Sequence, residues 1–379
     1  MPNPGLTDEQ CREAVDGYRD YGSIGAAARA LGIDRGTFRN RLKRAGERGL
    51  TLSGGAFRAV QNAGLSAREA RAGWIVNVDP ETGSRESTYW RADDLPPEAV
   101  IDAIRDGFEN MKPAKPVTPP EHIMGDLCTV YPLMDAHFGM LAWGQETGGP
   151  DYDMALAAQD MRHAFAKVAA LTPPSAEAVL IIGGDFFHQD DNRSETPQNR
   201  HKLDTDGRYF KVLDSGIALI SEVVETIAAK HAGITVRILR GNHDEHAHMV
   251  LTFALTERYR DDARITVEKT PRDLFMKQWG RCLISAHHGD KAPPERLTLY
   301  LSDVCPYWSE TRYRHCFTGH VHKDQAKDTG PLKWESLRAF CPSDSYAASM
   351  GYTSRRAMQS ITFHKQDGLV LRAFDPIER

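Results

Sequence analysis

Short apolar runs rich in β-branched residues recur along the chain, and each gives way abruptly to glycine or a polar turn: residues 130–134, 179–182, 236–239, 282–285 and 316–318. Runs of this length read as buried strands. Between them, longer periodic stretches predict helices over 153–170 and 209–230. Two later strands, 359–364 and 369–374, turn on Gln366-Asp367-Gly368 as a hairpin. Strands alternating with helices give the α/β class. The amino-terminal part reads differently. Thr7-Asp8-Glu9-Gln10 is a capping box opening a helix to about Tyr21. An alanine-rich helix comes next over 24–31, Gly32 breaks it, and a third helix runs from Arg35 to about Arg44.

Two short helices joined at a glycine turn, the second of them basic, make a helix-turn-helix pattern. Small alanines on the first allow close crossing, and Ile33, Phe38 and Leu42 fill the space between. From Arg29 to Arg48 there are seven basic residues against two acidic ones. Arg35, Thr37, Arg39, Asn40 and Lys43 are the candidates for facing a duplex, with contacts divided between phosphates and base edges. Residues 22–46 closely resemble the DNA-binding end of the Fis-like helix-turn-helix family, which implies DNA as a partner. A solvated basic face on an interaction module is the alternative, since fold likeness alone does not establish function.

The next stretch, 51–111, says less. Ser66-Ala67-Arg68-Glu69 fits a second capping box, and 74–78 with 87–90 read as a β-hairpin around Asp79-Pro80-Glu81-Thr82-Gly83. A helix is expected from Pro96 through Phe108. Residues 112–120, with four prolines, read as a stiff linker. The expected domains are therefore 1–50, 51–111 and 121–379, with the linker before the last.

The carboxyl ends of the five strands carry the chemistry. They deliver, in order, Asp135-Ala136-His137, Gly183-Gly184-Asp185, Gly241-Asn242-His243-Asp244, His287-His288-Gly289-Asp290 and Gly319-His320-Val321-His322. In open α/β sheets, ligands bind at the carboxyl ends of strands, so these donors are expected on one sheet edge. Carboxylate, imidazole and amide donors without thiolate suit Mn, Fe, Zn or Co.

That order of motifs resembles the calcineurin-like metallophosphoesterase superfamily over 121–379. The resemblance implies a two-sheet β-sandwich flanked by helices and a hydrolase using two divalent metal ions, with Mn²⁺ first and Fe, Zn, Co, Ni or Mg as alternatives. It implies that Asp135, His137 and His322 hold one metal. Asn242, His320 and either His288 or His287 would hold the second, with Asp185 bridging. It makes His243 the general acid, oriented by Asp244. The polar insertion over 186–206 offers substrate contacts at His188 and Arg193, joined by Arg208 just beyond it.

Together with the helix-turn-helix, this pattern is similar to phage and prophage metallophosphoesterases and implies a DNA-directed nuclease. A phosphatase or a small-molecule or cyclic-nucleotide phosphodiesterase with a regulatory arm is the alternative. A non-catalytic DNA-binding regulator is the third reading.

Composition changes little. The formal net charge is −5, so nucleic-acid binding must come from a local patch. Six scattered cysteines without a CxxC pair read as buried free thiols in a reducing cytoplasm. No apolar stretch is long enough to span a membrane and the start is no signal peptide, so no membrane partner is expected. A homo-oligomer remains open, and nothing in the sequence names a protein partner.

Overall fold

In a computed structural model of the chain, the described residues are 6–21, 24–47, 72–78, 85–91, 113–353 and 355–377. They fall into two compact units, 1–106 and 107–379. The expected capping box at Ser66, the hairpin loop at 79–84 and the helix from Pro96 lie outside the described residues.

The first unit contains α1 (Asp8–Tyr21), α2 (Ile24–Ala30) and α3 (Arg35–Glu47), then an antiparallel pair, β1 (Ala72–Val78) and β2 (Arg85–Arg91). Its capping box is reciprocal: the Thr7 N–H donates to Gln10 Oε1 at 3.1 Å, and the Gln10 N–H donates to Thr7 Oγ1 at 3.3 Å. Asp34 caps α3, accepting the Thr37 N–H at 2.9 Å and the Thr37 hydroxyl. Thr37 therefore serves the cap before it can serve a duplex. Phe38, Ala14, Ala27 and Ala28 are buried together, where the alanines let the helices close. Lys43 and Asn40 are exposed on α3, while the Arg35 guanidinium lies over Gly25 of α2.

The second unit begins with an extended strap rather than a free spacer. The Ala114 N–H donates to the Arg258 carbonyl at 2.8 Å, and Val117 accepts from the Arg264 guanidinium. Its first sheet holds β3 (Met124–Leu133), β4 (Ser175–Ile182), β5 (Gly233–Ile238), β6 (Ile265–Val267), β12 (Ala357–His364) and β13 (Gly368–Pro376). The order is β13-β12-β3-β4-β5-β6, with β3 to β6 parallel. The second sheet holds β7 (Leu274–Trp279), β8 (Cys282–His287), β9 (Tyr313–Thr318), β10 (Gln325–Asp328) and β11 (Lys333–Ser336), in the order β10-β11-β9-β8-β7. The late hairpin thus extends the sheet of β3 and β4, not the sheet of β8 and β9.

Strand periodicity explains the layers, because successive side chains face opposite sides. On β4, Leu180 and Ile182 join the core beneath α5 (Met154–Leu171), α6 (Tyr209–Ala228) and α7 (Ala247–Arg258), while Val179 and Ile181 join the core between the sheets. On β9, Phe317 faces the inter-sheet core and Cys316 packs with Leu297 and Leu301 of α8 (Pro294–Val304). Two short helices, α4 (Gly144–Thr147) and α9 (Ser345–Ser349), lie in loops. The unit is a β-sandwich with helices outside, as expected. All six cysteines are free and buried. Among the described residues no helix is long and apolar enough to cross a membrane.

Candidate metal centre

Both sheets contribute to one site. Asp135 and His137 follow β3, Asp185 follows β4 and Asn242 follows β5. His288 follows β8, and His320 and His322 follow β9. The single-sheet edge expected from the sequence is therefore corrected: the donors come from adjoining ends of two sheets.

Ligand atoms of Asp135, His137 and Asp185 lie within 4.8 Å of one another, as do those of Asp185, His288 and His320. Asp185 belongs to both groups and so stands between them. His322 Nε2 lies 3.6 Å from Asp135 Oδ1, and its ring centroid is 5.3 Å from that of His137. Asn242 Oδ1 lies 3.1 Å from His288 Nε2.

The backbone is strained where the donors stand. Seven non-glycine residues among those described have φ in the left-handed region, and five of them are Asp135, His137, Asp185, His320 and His322, at 44° to 67°. Each such residue costs about 1–3 kcal/mol and persists only where its surroundings impose it. The His320 N–H donates to both oxygens of Asp135 at 2.9 Å, and the His243 N–H donates to Asp185 Oδ1 at 2.7 Å. Gly319 and Gly241 make these approaches possible, because a Cβ at either would collide with the carboxylate of Asp135 or Asp185.

The paired histidines separate cleanly. His288 Nδ1 donates to the Gly183 carbonyl at 2.9 Å, leaving Nε2 facing Asn242 and, at 3.2 Å, Asp185 Oδ2. A hydrogen bond on the far ring nitrogen fixes tautomer and ring orientation for a metal ligand. His287 Nδ1 instead accepts the Gly289 N–H at 2.9 Å, which closes a local turn, so His288 is the one brought to the centre. Burial alone would depress the His288 pKa, but Asp185 outweighs it and the value rises to about 10. Burial also opposes the charge on Asp185, yet His288 and His243 hold that carboxyl well below its usual range. The pair is a carboxylate beside a site that attracts positive charge.

The donor set fits divalent cations. Burial, then the neighbouring His243, keeps His137 neutral, with its pKa well below the usual imidazole value. Its Nε2 is buried with no hydrogen-bond partner, while Nδ1 meets His188 Nδ1 at 3.1 Å. A neutral imidazole with an uncommitted nitrogen beside two carboxylates is the state a metal ligand requires.

Two sequence expectations need correction, those for His188 and Asp244. The sequence puts His188 at the mouth, touching substrate; it is 1% exposed, with a ring nitrogen within 4.8 Å of those of His137 and His243. Its ring meets His137, and its carbonyl accepts from His243 Nδ1 at 2.9 Å. Asp244 does not orient His243. Its carboxylate accepts the N–H groups of Gly241 at 2.8 Å, Phe186 at 2.9 Å, Asp185 at 3.2 Å and Phe187 at 3.3 Å, tying the β5 loop to the β4 loop. Burial, then the charge of Asp185, pushes its carboxyl up to about 7. The substrate candidates Arg193 and Arg208 are both exposed: Arg193 Nε donates to Asp191 Oδ2 at 2.6 Å, and Arg208 stands at the start of α6.

Asp244→Asn is accordingly expected to act on stability. An amide offers one acceptor where the carboxylate offers two, and each buried donor left unpaired costs about 1–3 kcal/mol. At roughly 2–4 °C per kcal/mol for a unit of this size, Tm should fall by at least about 4 °C in a thermal melt. An unchanged melt with lost turnover would instead place Asp244 in the chemistry.

Two neighbours of the centre escape the sequence reading. Cys341 Sγ lies within 4.8 Å of ligand atoms of His137 and His322, a neighbour that no motif announces. Burial, then Asp135, pushes this thiol well above its usual value and keeps it protonated. Tyr346 is the second. A cavity of about 120 Å³ opens onto Asn242 and His243 and is walled in part by His201, Lys202 and Tyr346. Neither Cys341 nor Tyr346 sits in a recognisable motif; loop packing alone places them.

No protein-family model matches the chain, and no curated protein matches it. Among solved structures, an archaeal phosphodiesterase is similar at 11% identity and a TM-score of 0.34, covering 65% of this chain and 99% of that one. Vps29 of Entamoeba histolytica, solved with zinc, is similar at 10% identity and a TM-score of 0.29, covering 66% and 99%. A predicted phosphoesterase of Streptococcus pneumoniae TIGR4 is similar at 9% identity and a TM-score of 0.28, covering 66% and 97%. Likenesses of this size carry no weight for activity, which rests on the residues of the site.

Proposed function

We propose that the second unit is a metal-dependent phosphoesterase that hydrolyses phosphodiesters, and that the first unit brings it to DNA. The observation that carries the reading is the left-handed backbone at five donor residues that meet at one place. In this reading Asp135, His137 and His322 would hold one divalent cation, Asn242, His288 and His320 would hold the other, and Asp185 would serve both. Such a pair would supply electrostatic stabilisation of the phosphoryl oxygens and a hydroxide nucleophile at neutral pH.

The chain's own residues do the rest. A carbonyl only accepts, so His243 Nδ1 carries a proton in its bond to His188; as the general acid the ring would act as imidazolium, giving its Nε2 proton to the departing oxygen and keeping the Nδ1 one. The His243 backbone N–H also holds Asp185, which places the acid and the central carboxylate in one register. Hydrolysis of bis-p-nitrophenyl phosphate tests the class. Chelation should stop it and Mn²⁺ should restore it; turnover that survives chelation would contradict a metal centre.

The basic, exposed part of α3 supports the DNA reading. Lys43→Ala should weaken duplex binding and lower the slope of log K against log salt by about 0.9 if it meets one phosphate. An unchanged slope in a salt titration would remove Lys43 from the interface.

A further inference from the structure

The loop after β11 lays a thiol beside the metal centre. The Phe340 N–H donates to the Met134 carbonyl at 2.9 Å, and the Cys341 N–H to the Asp135 carbonyl at 3.2 Å. These two bonds hold residues 340–341 alongside the turn that follows β3, where Asp135 and His137 stand. Cys341 is 1% exposed, and its Sγ lies with one ring nitrogen each of His137 and His322 in a group spanning no more than 4.8 Å. All six cysteines are buried and free, and among the described residues Cys341 alone joins such a group. Donors on one tetrahedral zinc stand roughly 3.3–3.7 Å apart, given Zn–N of about 2.0–2.1 Å and Zn–S of about 2.3 Å. The three side chains therefore need to close by roughly 1.5 Å at most to share a cation.

A buried cysteine is most often packing, and Cys341 does belong to the core beneath the helices. A second observation asks for a ligand. His137 is 4% exposed, its Nδ1 meets His188, and its Nε2 is buried with no hydrogen-bond partner. Buried polar atoms are nearly always paired, so this nitrogen calls for an ion or a donor. We propose that Cys341 is a ligand of the cation held by His137 and His322, and that its thiolate makes that position prefer Zn²⁺ to Mn²⁺. This rests on the metal-centre reading and adds a donor that the order of motifs does not contain. Imidazole and carboxylate accept Mn, Fe, Zn and Co alike, whereas a thiolate favours zinc over manganese. On binding, the S–H bond breaks, a sulfur–metal bond forms and the proton passes to water. Mn²⁺ in excess still fills the position through its oxygen and nitrogen donors.

The test is X-ray absorption at the zinc edge on the full-length protein loaded with Zn²⁺. The unaltered protein should show a sulfur shell at about 2.3 Å, and Cys341→Ser, which keeps the size but offers oxygen, should lack it. The spectrum of the unaltered protein decides the matter even if the variant fails to fold. Competition with a metal-sensitive dye then compares the two ions. Cys341→Ser should weaken zinc binding at least roughly tenfold, since even residues that only support a ligand are worth about 10–100-fold in affinity. Mn²⁺, a poor partner for sulfur, should lose much less. A zinc shell of nitrogen and oxygen alone would overturn the proposal, and equal losses for both ions would overturn the preference for zinc. If the protein with that sulfur-free shell still cleaves bis-p-nitrophenyl phosphate, the hydrolase stands without this ligand. A sulfur shell in a protein that cleaves no ester would uphold Cys341 and sink the phosphoesterase reading.

Discussion

Asp185→Asn should abolish turnover, lowering kcat by at least roughly 10³-fold, because even one electrostatic contact to a transition state is worth about 10²–10³. The amide keeps Oδ1 as acceptor for the His243 N–H, so the loop geometry survives. What disappears is the negative charge between the two donor groups, on the side that faces His288. Two cations held close together repel strongly without an anion between them. Metal content after gel filtration should therefore fall with activity while circular dichroism stays native. A variant with full metal content and near-normal kcat would remove Asp185 from the centre.

His243→Ala should divide substrates by their leaving groups. An alkoxide leaves poorly without a proton, so cleavage of a dinucleotide should slow by about 10²–10⁴, the usual contribution of a general acid. A p-nitrophenolate needs little help, and its ester should lose less than roughly tenfold in kcat, judged on the same scale. The metals should stay, because the hydrogen bond from His243 to Asp185 comes from its backbone N–H, which the substitution keeps. Equal losses on both esters would mean that the ring organises the site rather than donating a proton.

Much of the fold and the site is legible in the sequence because strand ends are local features. The apolar runs ending in Asp135, Asp185, Asn242, His288 and His320 are visible one at a time, and a glycine beside most of them marks a sharp turn. The pairing of strands is not legible. An apolar run such as 282–285 looks alike in either sheet, and only the long-range register places β8 beside β9 and away from β4. Side-chain direction is equally hidden. His188 stands in a polar stretch that reads as surface, yet the bridge between Phe138 and Phe187 folds it inward against His137. Asp244 comes directly after His243, and adjacency suggests a partnership. The turn after β5 points the two side chains differently and gives the carboxylate to backbone donors of the neighbouring loop. Cys341 carries no motif, and the hydrogen bond from its N–H to the Asp135 carbonyl at 3.2 Å brings it near the centre.

The paired metal centre is tested most directly by anomalous diffraction from crystals grown with Mn²⁺. Two peaks about 3.5–4 Å apart, the spacing of two-metal phosphoesterases, are expected on either side of the Asp185 carboxylate. One should be ligated by His137 and the other by His288. A single peak away from Asp185, or none at saturating Mn²⁺, would contradict the centre and the hydrolytic function built on it.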